Sequence, residues 1–459
     1  MNPFEIPGPQ LRRMGETRPL PGEAALLEGW LHSRRLVLLK TLLTRAERAR
    51  LPAPQASALR EHWALLEDAE LHDPAAARGA LGRPAAGNWL AHALAAPPGA
   101  PFTAALAGLG TLAATVALAA GCDFRLVLPA TQGRLTLPGL GSYATSAPRV
   151  RIAATDTTVT FAPEDGRPLS VPREDLLGHR TVPQHGLGTA APQGTDSPQG
   201  GPQSHWRPLT PLPGVPAVLD DQDPHLASET GRAGLAGLLP AAVTAPDEAY
   251  EWRELWTRAL DLLREADPER ATEVATLVRT VVPVLWERDG RASATRLAAP
   301  WAVLTTLPRT PEEMAEVLVH EVQHSKLAVL GGVVRLNEES AEAVYRVGWR
   351  SDPRPLGAVV QGTYAHLALA DLWGRLARRA SATPAERAAA RRRAADFGAQ
   401  VDHALFLLLG SGQLTRQGTE FVEGMRHRHE RLSSPGVRAP GAREDTENAA
   451  DRLTNGHFG

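Results

Sequence analysis

Thr310-Pro311-Glu312-Glu313, then Leu318-Val319-His320-Glu321-Val322-Gln323-His324-Ser325-Lys326-Leu327, then Gly331-Gly332, is the stretch on which the reading of this chain turns. Thr310 offers a hydroxyl to a free helical N–H, Pro311 suits the first helical position, and Glu313 completes a capping-box pattern. Gly331-Gly332 supplies a stop. Between them Val317, Leu318, Leu327 and Leu330 form an apolar stripe, so the segment predicts a helix over residues 311–330.

On that helix His320 and His324 are four residues apart and share a face, so two imidazoles reach neighbouring positions on one metal ion. Imidazole suits zinc and iron alike. Glu321 holds the place where zinc peptidases carry the base that activates metal-bound water. The plain alternative is an amphipathic helix with its histidines half exposed or bonded in the core. Cap, stripe and motif together favour the metal.

Such a site needs a third donor, and two candidates compete. Glu339 and Glu342 lie in Asn337-Glu338-Glu339-Ser340-Ala341-Glu342, close to where some zinc peptidases supply a Glu, although acids there also read as a solvated helix start. His366 lies in Gln361-Gly362-Thr363-Tyr364-Ala365-His366-Leu367, inside an otherwise apolar helix. A lone His there is usually a core residue, but an earlier metal helix lacks a partner. Between them, Trp349-Arg350-Ser351-Asp352-Pro353-Arg354-Pro355 sets two guanidiniums in a Pro-stiffened turn. Arg350 and Arg354 can hold a carboxylate in bidentate fashion, or Asp352 can tie them into a rigid loop. Leu219-Asp220-Asp221-Gln222-Asp223-Pro224 reads as a turn or helix cap. In Arg426-His427-Arg428-His429 the histidines face apart on a helix, which favours a solvated face over a ligand pair.

Outward from the motif, the composition is that of a globular chain. The 459 residues, 43% hydrophobic and 22% charged, leave room for one large or two to three ordinary domains. A net charge of −2 excludes the excess of positive charge on which nucleic-acid or anionic-membrane binding rests, so neither partner is expected. Cys122 is the single cysteine, which excludes an intrachain disulfide and a Cys-based zinc cluster and predicts a cytoplasmic protein. Met1-Asn2-Pro3-Phe4-Glu5-Ile6-Pro7 lacks the basic start and apolar core of a secretory signal. The uncharged run Thr103 to Gly121 is long enough to cross a bilayer but is mostly Ala, Gly and Thr, which predicts a buried helix.

The periodicity predicts an α+β, predominantly α-helical fold. Residues 1–122 read as an N-terminal helical region. Residues 123–215 read as a small antiparallel β region, with short alternating runs at Phe124–Leu128, Arg134–Leu137, Val150–Ile152 and Thr158–Phe161, followed by a Gly/Pro-rich linker from about Gln184 to Gly214. Residues 216–432 read as a helical metal-binding catalytic domain: helices over 248–264 and 271–286, a strand over Ser293–Thr306, then helices near 311–330, 356–379, 384–409 and 415–432. Residues 433–459 read as a disordered tail.

The motif helix, Trp349-Arg350 with Asp352-Pro353-Arg354-Pro355, and Gly362-Thr363-Tyr364-Ala365-His366 together resemble the HExxH-motif peptide-modification proteins encoded beside ribosomally made precursor peptides in actinobacteria. Leu219-Asp220-Asp221 with Asp223-Pro224 resembles a further segment of that family; the match covers roughly residues 215–375. The resemblance implies iron(II)/2-oxoglutarate chemistry that hydroxylates a β-carbon in a precursor peptide. It implies His320, His324 and His366 as metal ligands and Arg354, or failing it Arg350, against the distal carboxylate of 2-oxoglutarate. Glu321 would then orient a ligand or the substrate. A three-His set departs from the commoner two-His-one-carboxylate pattern, which keeps Glu339 and Glu342 in play. The Ser293–Thr306 strand offers an edge to an extended peptide. The competing readings are a zinc metallopeptidase that removes a leader and a non-catalytic peptide-binding partner.

Overall fold

The computed structural model describes residues 6–177, 205–225, 238–243, 245–286, 290–338 and 344–434. Helices α1 (Gly8–Gly15), α2 (Glu23–Arg48), α3 (Ala53–His72), α4 (Pro74–Leu81), α5 (Pro84–Ala95), α6 (Ala100–Leu106) and α7 (Gly108–Ala120) come first. Strands β1 (Phe124–Pro129), β2 (Arg134–Leu137), β3 (Gly141–Ala144), β4 (Arg149–Ala154), β5 (Thr158–Pro163) and β6 (Leu169–Pro172) follow, with α8 (Arg173–Leu177). Then come β7 (Trp206–Pro208), β8 (Thr210–Pro211), β9 (Val218–Leu219), β10 (Leu238–Pro240), α9 (Pro246–Ala266) and α10 (Pro268–Leu277). The last part holds β11 (Thr280–Trp286), β12 (Ser293–Arg296), β13 (Ala299–Thr305), α11 (Pro311–Leu330), β14 (Val344–Tyr345), β15 (Arg354–Pro355), α12 (Leu356–Leu376), α13 (Pro384–Gly410) and α14 (Arg416–Ser433). Helix outweighs strand, and the fold is α+β and predominantly helical.

Among the described residues two large apolar cores organise these elements, with a smaller cluster of Leu238, Val282, Val284, Ala299, Ala302 and Leu304 beside them. One gathers Leu39 of α2 through Trp206: α3 to α7 packed on the antiparallel sheets β1-β4-β5-β6 and β2-β3-β7. The other gathers Leu212 through Met425 and also Leu11, Met14, Leu27 and Leu31. The cores therefore cross the expected limits at 122 and 215, because α1 and the first half of α2 pack with the later helices while the second half of α2 enters the N-terminal core. The Ala100–Ala120 stretch is, among the described residues, the one long and apolar enough to span a membrane. It divides at Ala107 into α6 and α7, and α7 packs against α3 and α4, so its apolar surface serves the core.

Three local expectations are corrected. Residues 271–286 do not form one helix: α10 stops at Leu277 and Thr280-Val281-Val282-Pro283-Val284-Leu285-Trp286 is the strand β11. Pro283 lacks the N–H that a helix interior needs, and the β-branched run suits a pleat buried on both faces. The Ser293–Thr306 strand is a hairpin, β12 paired antiparallel with β13, not one strand. In the expected linker, residues 178–204 lie outside the described residues, but Trp206–Pro208 and Thr210–Pro211 are strands, with Trp206 stacked on Phe161. The tail from residue 435 onward also lies outside them.

A third sheet runs β12-β13-β11-β9-β8, with β9, β11 and β13 parallel and β10 pairing β11. Its strands alternate as a pleat requires: Val281, Trp301 and Val303 face the helical core, while Val282, Ala302 and Leu304 face the other way. Helix α11 packs on the first face through Met314, Leu318 and Val322, each fully buried and each stabilising by about 1.5–3 kcal/mol. Thr310 Oγ1 accepts the Glu313 N–H at 3.2 Å, as expected. The Glu313 carboxylate, however, accepts the N–H of Arg309 at 2.8 Å, one residue before the cap. Trp301 takes φ +73°, a conformation that strains a bulky residue, and its N–H donates to Ser325 Oγ of α11 at 3.1 Å.

Candidate metal centre

Helix α11 presents His320 and His324 one turn apart, and α12 packs against it so that His366 joins them. The Nε2 atoms of His320 and His324 are 3.0 Å apart. Two nitrogens about 2.0–2.1 Å from one ion, at about 90° to each other, have that separation. The His366 ring stands 5.7 Å from that of His320, centroid to centroid. Its Nδ1 is buried without a hydrogen-bond partner. Among the described residues no three His, Cys, Asp or Glu side chains already converge as a closed ligand set. What exists is a convergent pair with a third imidazole one ring away.

His324 is held by a residue that the sequence did not flag. Gln361 Oε1, on α12, lies 3.0 Å from His324 Nδ1. An amide oxygen only accepts, so Nδ1 carries the proton and Nε2 keeps its lone pair toward His320. Burial depresses His320 to about 4, with the His324 ring adding to it and Glu321 opposing. Burial likewise depresses His366 to about 3, helped by His320 and His324, while Gln400 pulls the other way. Both imidazoles are therefore neutral at physiological pH, the form a metal binds. Trp349 and Phe397 wall His366 at 4.5 and 5.2 Å between centroids. Gly362 makes room for the Trp349 indole, which a Cβ at that position would overlap.

Glu321 is almost wholly buried and points to the sheet. Ser293 Oγ donates to its Oε1 at 2.6 Å and Thr295 Oγ1 to its Oε2 at 2.7 Å. Both hydroxyls come from β12, the outer strand of the sheet, so this carboxylate ties the metal helix to the strand edge. Alternation along β12 turns Arg296 the other way, where its guanidinium donates to the His225 carbonyl.

The remaining candidates fall as follows. Arg350 Nε is 2.9 Å from Asp352 Oδ1 and Arg354 Nη1 is 3.1 Å from Asp352 Oδ2. The two guanidiniums converge on one carboxylate and hold Asp352 at about 2. Glu339 and Glu342 lie outside the described residues. Asp220 is buried, and its Oδ1 accepts the N–H groups of Gln222 and Asp223 at 3.0 and 3.1 Å, the turn expected of that segment. Burial raises both Asp220 and Asp223, with Asp221 adding to it at Asp220 and Asp220 adding to it at Asp223. His427 is exposed against Glu16 at 3.1 Å, whereas His429 is buried beside Asp402, so the pair does face apart.

Ser293 and Thr295 had only hydroxyl spacing at i and i+2 to mark them, and Gln361 and Gln400 had no local mark. Compared with known proteins, the chain matches no protein-family model and no curated protein.

Proposed function

We propose that this protein is a cytoplasmic iron(II)/2-oxoglutarate-dependent oxygenase that hydroxylates a β-carbon in a ribosomally made precursor peptide. The 3.0 Å approach of two Nε2 atoms, with the His324 tautomer set by Gln361, carries the reading. The resemblance of residues 215–375 to the HExxH-motif peptide-modification proteins supplies the reaction. Three imidazoles suit iron(II), and a facial set leaves positions for a bidentate 2-oxoacid and for dioxygen. Bound there, iron supplies an oxidation in which one dioxygen atom goes to the peptide carbon and the other to succinate, with carbon dioxide released.

The chain's own residues do the rest. His320, His324 and His366 hold the ion, and Gln361 orients His324. Trp349 and Phe397 keep water from the His366 side. Arg354, or failing it Arg350, takes the distal carboxylate of 2-oxoglutarate in competition with Asp352, the carboxylate to which both guanidiniums are paired. Glu321, with both oxygens accepting hydroxyl protons, positions β12, whose outer edge is the place for an extended peptide beside α11. That engagement supports a structural Glu321 over the water-activating base of a zinc peptidase.

The test uses anaerobically purified protein, iron(II), 2-oxoglutarate and a synthetic candidate precursor. Succinate release matched by a peptide heavier by one oxygen atom is expected, and His320→Ala and His324→Ala should abolish both. Peptide-bond cleavage by zinc-loaded protein would instead establish the metallopeptidase. Undiminished peptide binding by both variants, with no reaction ever seen, would establish a binding partner.

A further inference from the structure

The N-terminal core carries a basic groove that the reading above does not use. It encloses about 520 Å³ between the first turns of α3 and the strands β1 and β4. Strand β1 alternates buried Phe124, Leu126 and Leu128 with exposed Arg125, Val127 and Pro129. Strand β4 likewise exposes Arg149 and Arg151. The register sets Val127 opposite Arg151 and Pro129 opposite Arg149, so Arg125, Arg151 and Arg149 share one outward face around an exposed valine. Ser57 and Glu61 of α3 form the opposite wall. Arg149 approaches Glu164 at 4.0 Å, a weak exposed pair. Among the described residues β1 pairs with β4 alone, which leaves its other edge without a strand partner.

A chain with a net charge of −2 has here gathered three guanidiniums against a single lining carboxylate. The open edge offers main-chain donors and acceptors at a strand's spacing, Val127 offers an apolar contact, and the arginines offer bidentate sites for carboxylates. We propose that this groove docks an extended acidic peptide segment, which adds along the free edge of β1 and places its carboxylates on Arg125, Arg149 and Arg151. The proposal shares with the reading above only the peptide nature of the partner. Its test needs neither metal nor turnover, so the two stand or fall separately.

The probe is a fluorescein-labelled peptide of alternating Asp and Val, titrated with the full-length protein at low salt and followed by anisotropy. Saturable binding is expected, weakening as salt rises. The double variant Arg125→Glu/Arg151→Glu should weaken it about tenfold or more, while Arg125→Lys/Arg151→Lys should keep much of it. Both arginines are exposed, and an unchanged thermal midpoint will show that the variants fold. Amide exchange should slow across residues 124–129 when the peptide is bound. Absence of binding, or binding indifferent to the charge reversal, would mean that the arginines serve only to keep an edge strand from pairing, and would overturn the proposal. Binding without slower exchange in β1 would overturn the strand-addition geometry. Preference for a single-stranded oligonucleotide with the same arginine dependence would overturn the peptide assignment.

Discussion

Gln361 Oε1 accepts the Nδ1 proton of His324 at 3.0 Å, and this bond decides which ring nitrogen faces His320. Replacing Gln361 with Leu frees the tautomer and should weaken metal binding about 10- to 100-fold with the fold intact. Gln361→Glu should retain most of it; a titration of metal into protein checks both, and unchanged affinity in Gln361→Leu would remove the positioning role. The same site sets a pH dependence. His320 and His366 sit near 4 and 3 in the folded protein and near about 6.5 when unfolded. Between those limits the unfolded chain takes up protons that the folded one refuses, so their contribution is complete above about pH 6.5 and is lost as pH falls through the folded values. Metal-free wild type should therefore lose stability from pH 6.5 to 4 more steeply than His366→Leu in parallel urea melts. Legibility at this scale follows locality. His320 and His324 announce themselves because a helix repeat brings i and i+4 together. Gln361 reaches a partner 37 residues away on another helix, and glutamine in an apolar helix carries no signature of that.

Elements were legible where their ends are written in the chain. Thr310-Pro311 marks the start of α11 and Thr383-Pro384 that of α13, each threonine hydroxyl capping an N–H three residues on. β11 was not, because a strand buried on both faces shows no alternation and its apolar run matches a buried helix until Pro283 is weighed. β7 and β8 were hidden for the opposite reason: two or three residues in Pro-rich surroundings have no period to detect. Packing between elements also depends on positions with no pattern. A Cβ on Gly424 of α14 would overlap the carbonyl of Arg12 in α1, and one on Gly15 would overlap the carbonyl of Phe421. The two helices cross closely only because both positions are bare. Gly424→Ala should lower stability by about 1–3 kcal/mol as the helices separate. A urea midpoint equal to that of wild type would show that α1 yields without cost.

Across the whole molecule, a buried ionic network joins the chain's first helices to the metal helix. Lys326 Nζ, two residues past His324, lies 2.9 Å from both Glu23 Oε2 of α2 and Glu273 Oε1 of α10. Arg270 reaches Glu273 at 2.7 Å and Thr17 Oγ1 at 3.1 Å, and Gln323 Nε2 reaches Glu273 Oε2 at 3.3 Å. Burial alone would pull Lys326 down, but Glu273, with Tyr364 and Glu23, outweighs it and leaves the lysine above its ordinary range. Glu273 is correspondingly lowered, its burial outweighed by Lys326 and Arg270. No sequence pattern links positions 23, 273 and 326, yet together they fix where α11 sits relative to α2 and α10. Lys326→Met would leave the buried Glu23 without its cation, while Glu273 keeps Arg270, and should cost about 3–5 kcal/mol. The loss should be unevenly spread, because Glu23 and Lys326 belong to the core containing α1, α11 and α12, while Leu39 onward belongs to the other. Amide exchange should therefore accelerate in α11 and α12 and change little in β1, β4 and β5. Adding Glu23→Gln to Lys326→Met removes the stranded charge and should recover part of the stability. Equal acceleration in both cores would mean that α2 couples them into one cooperative unit, and the two-core description would have to be abandoned.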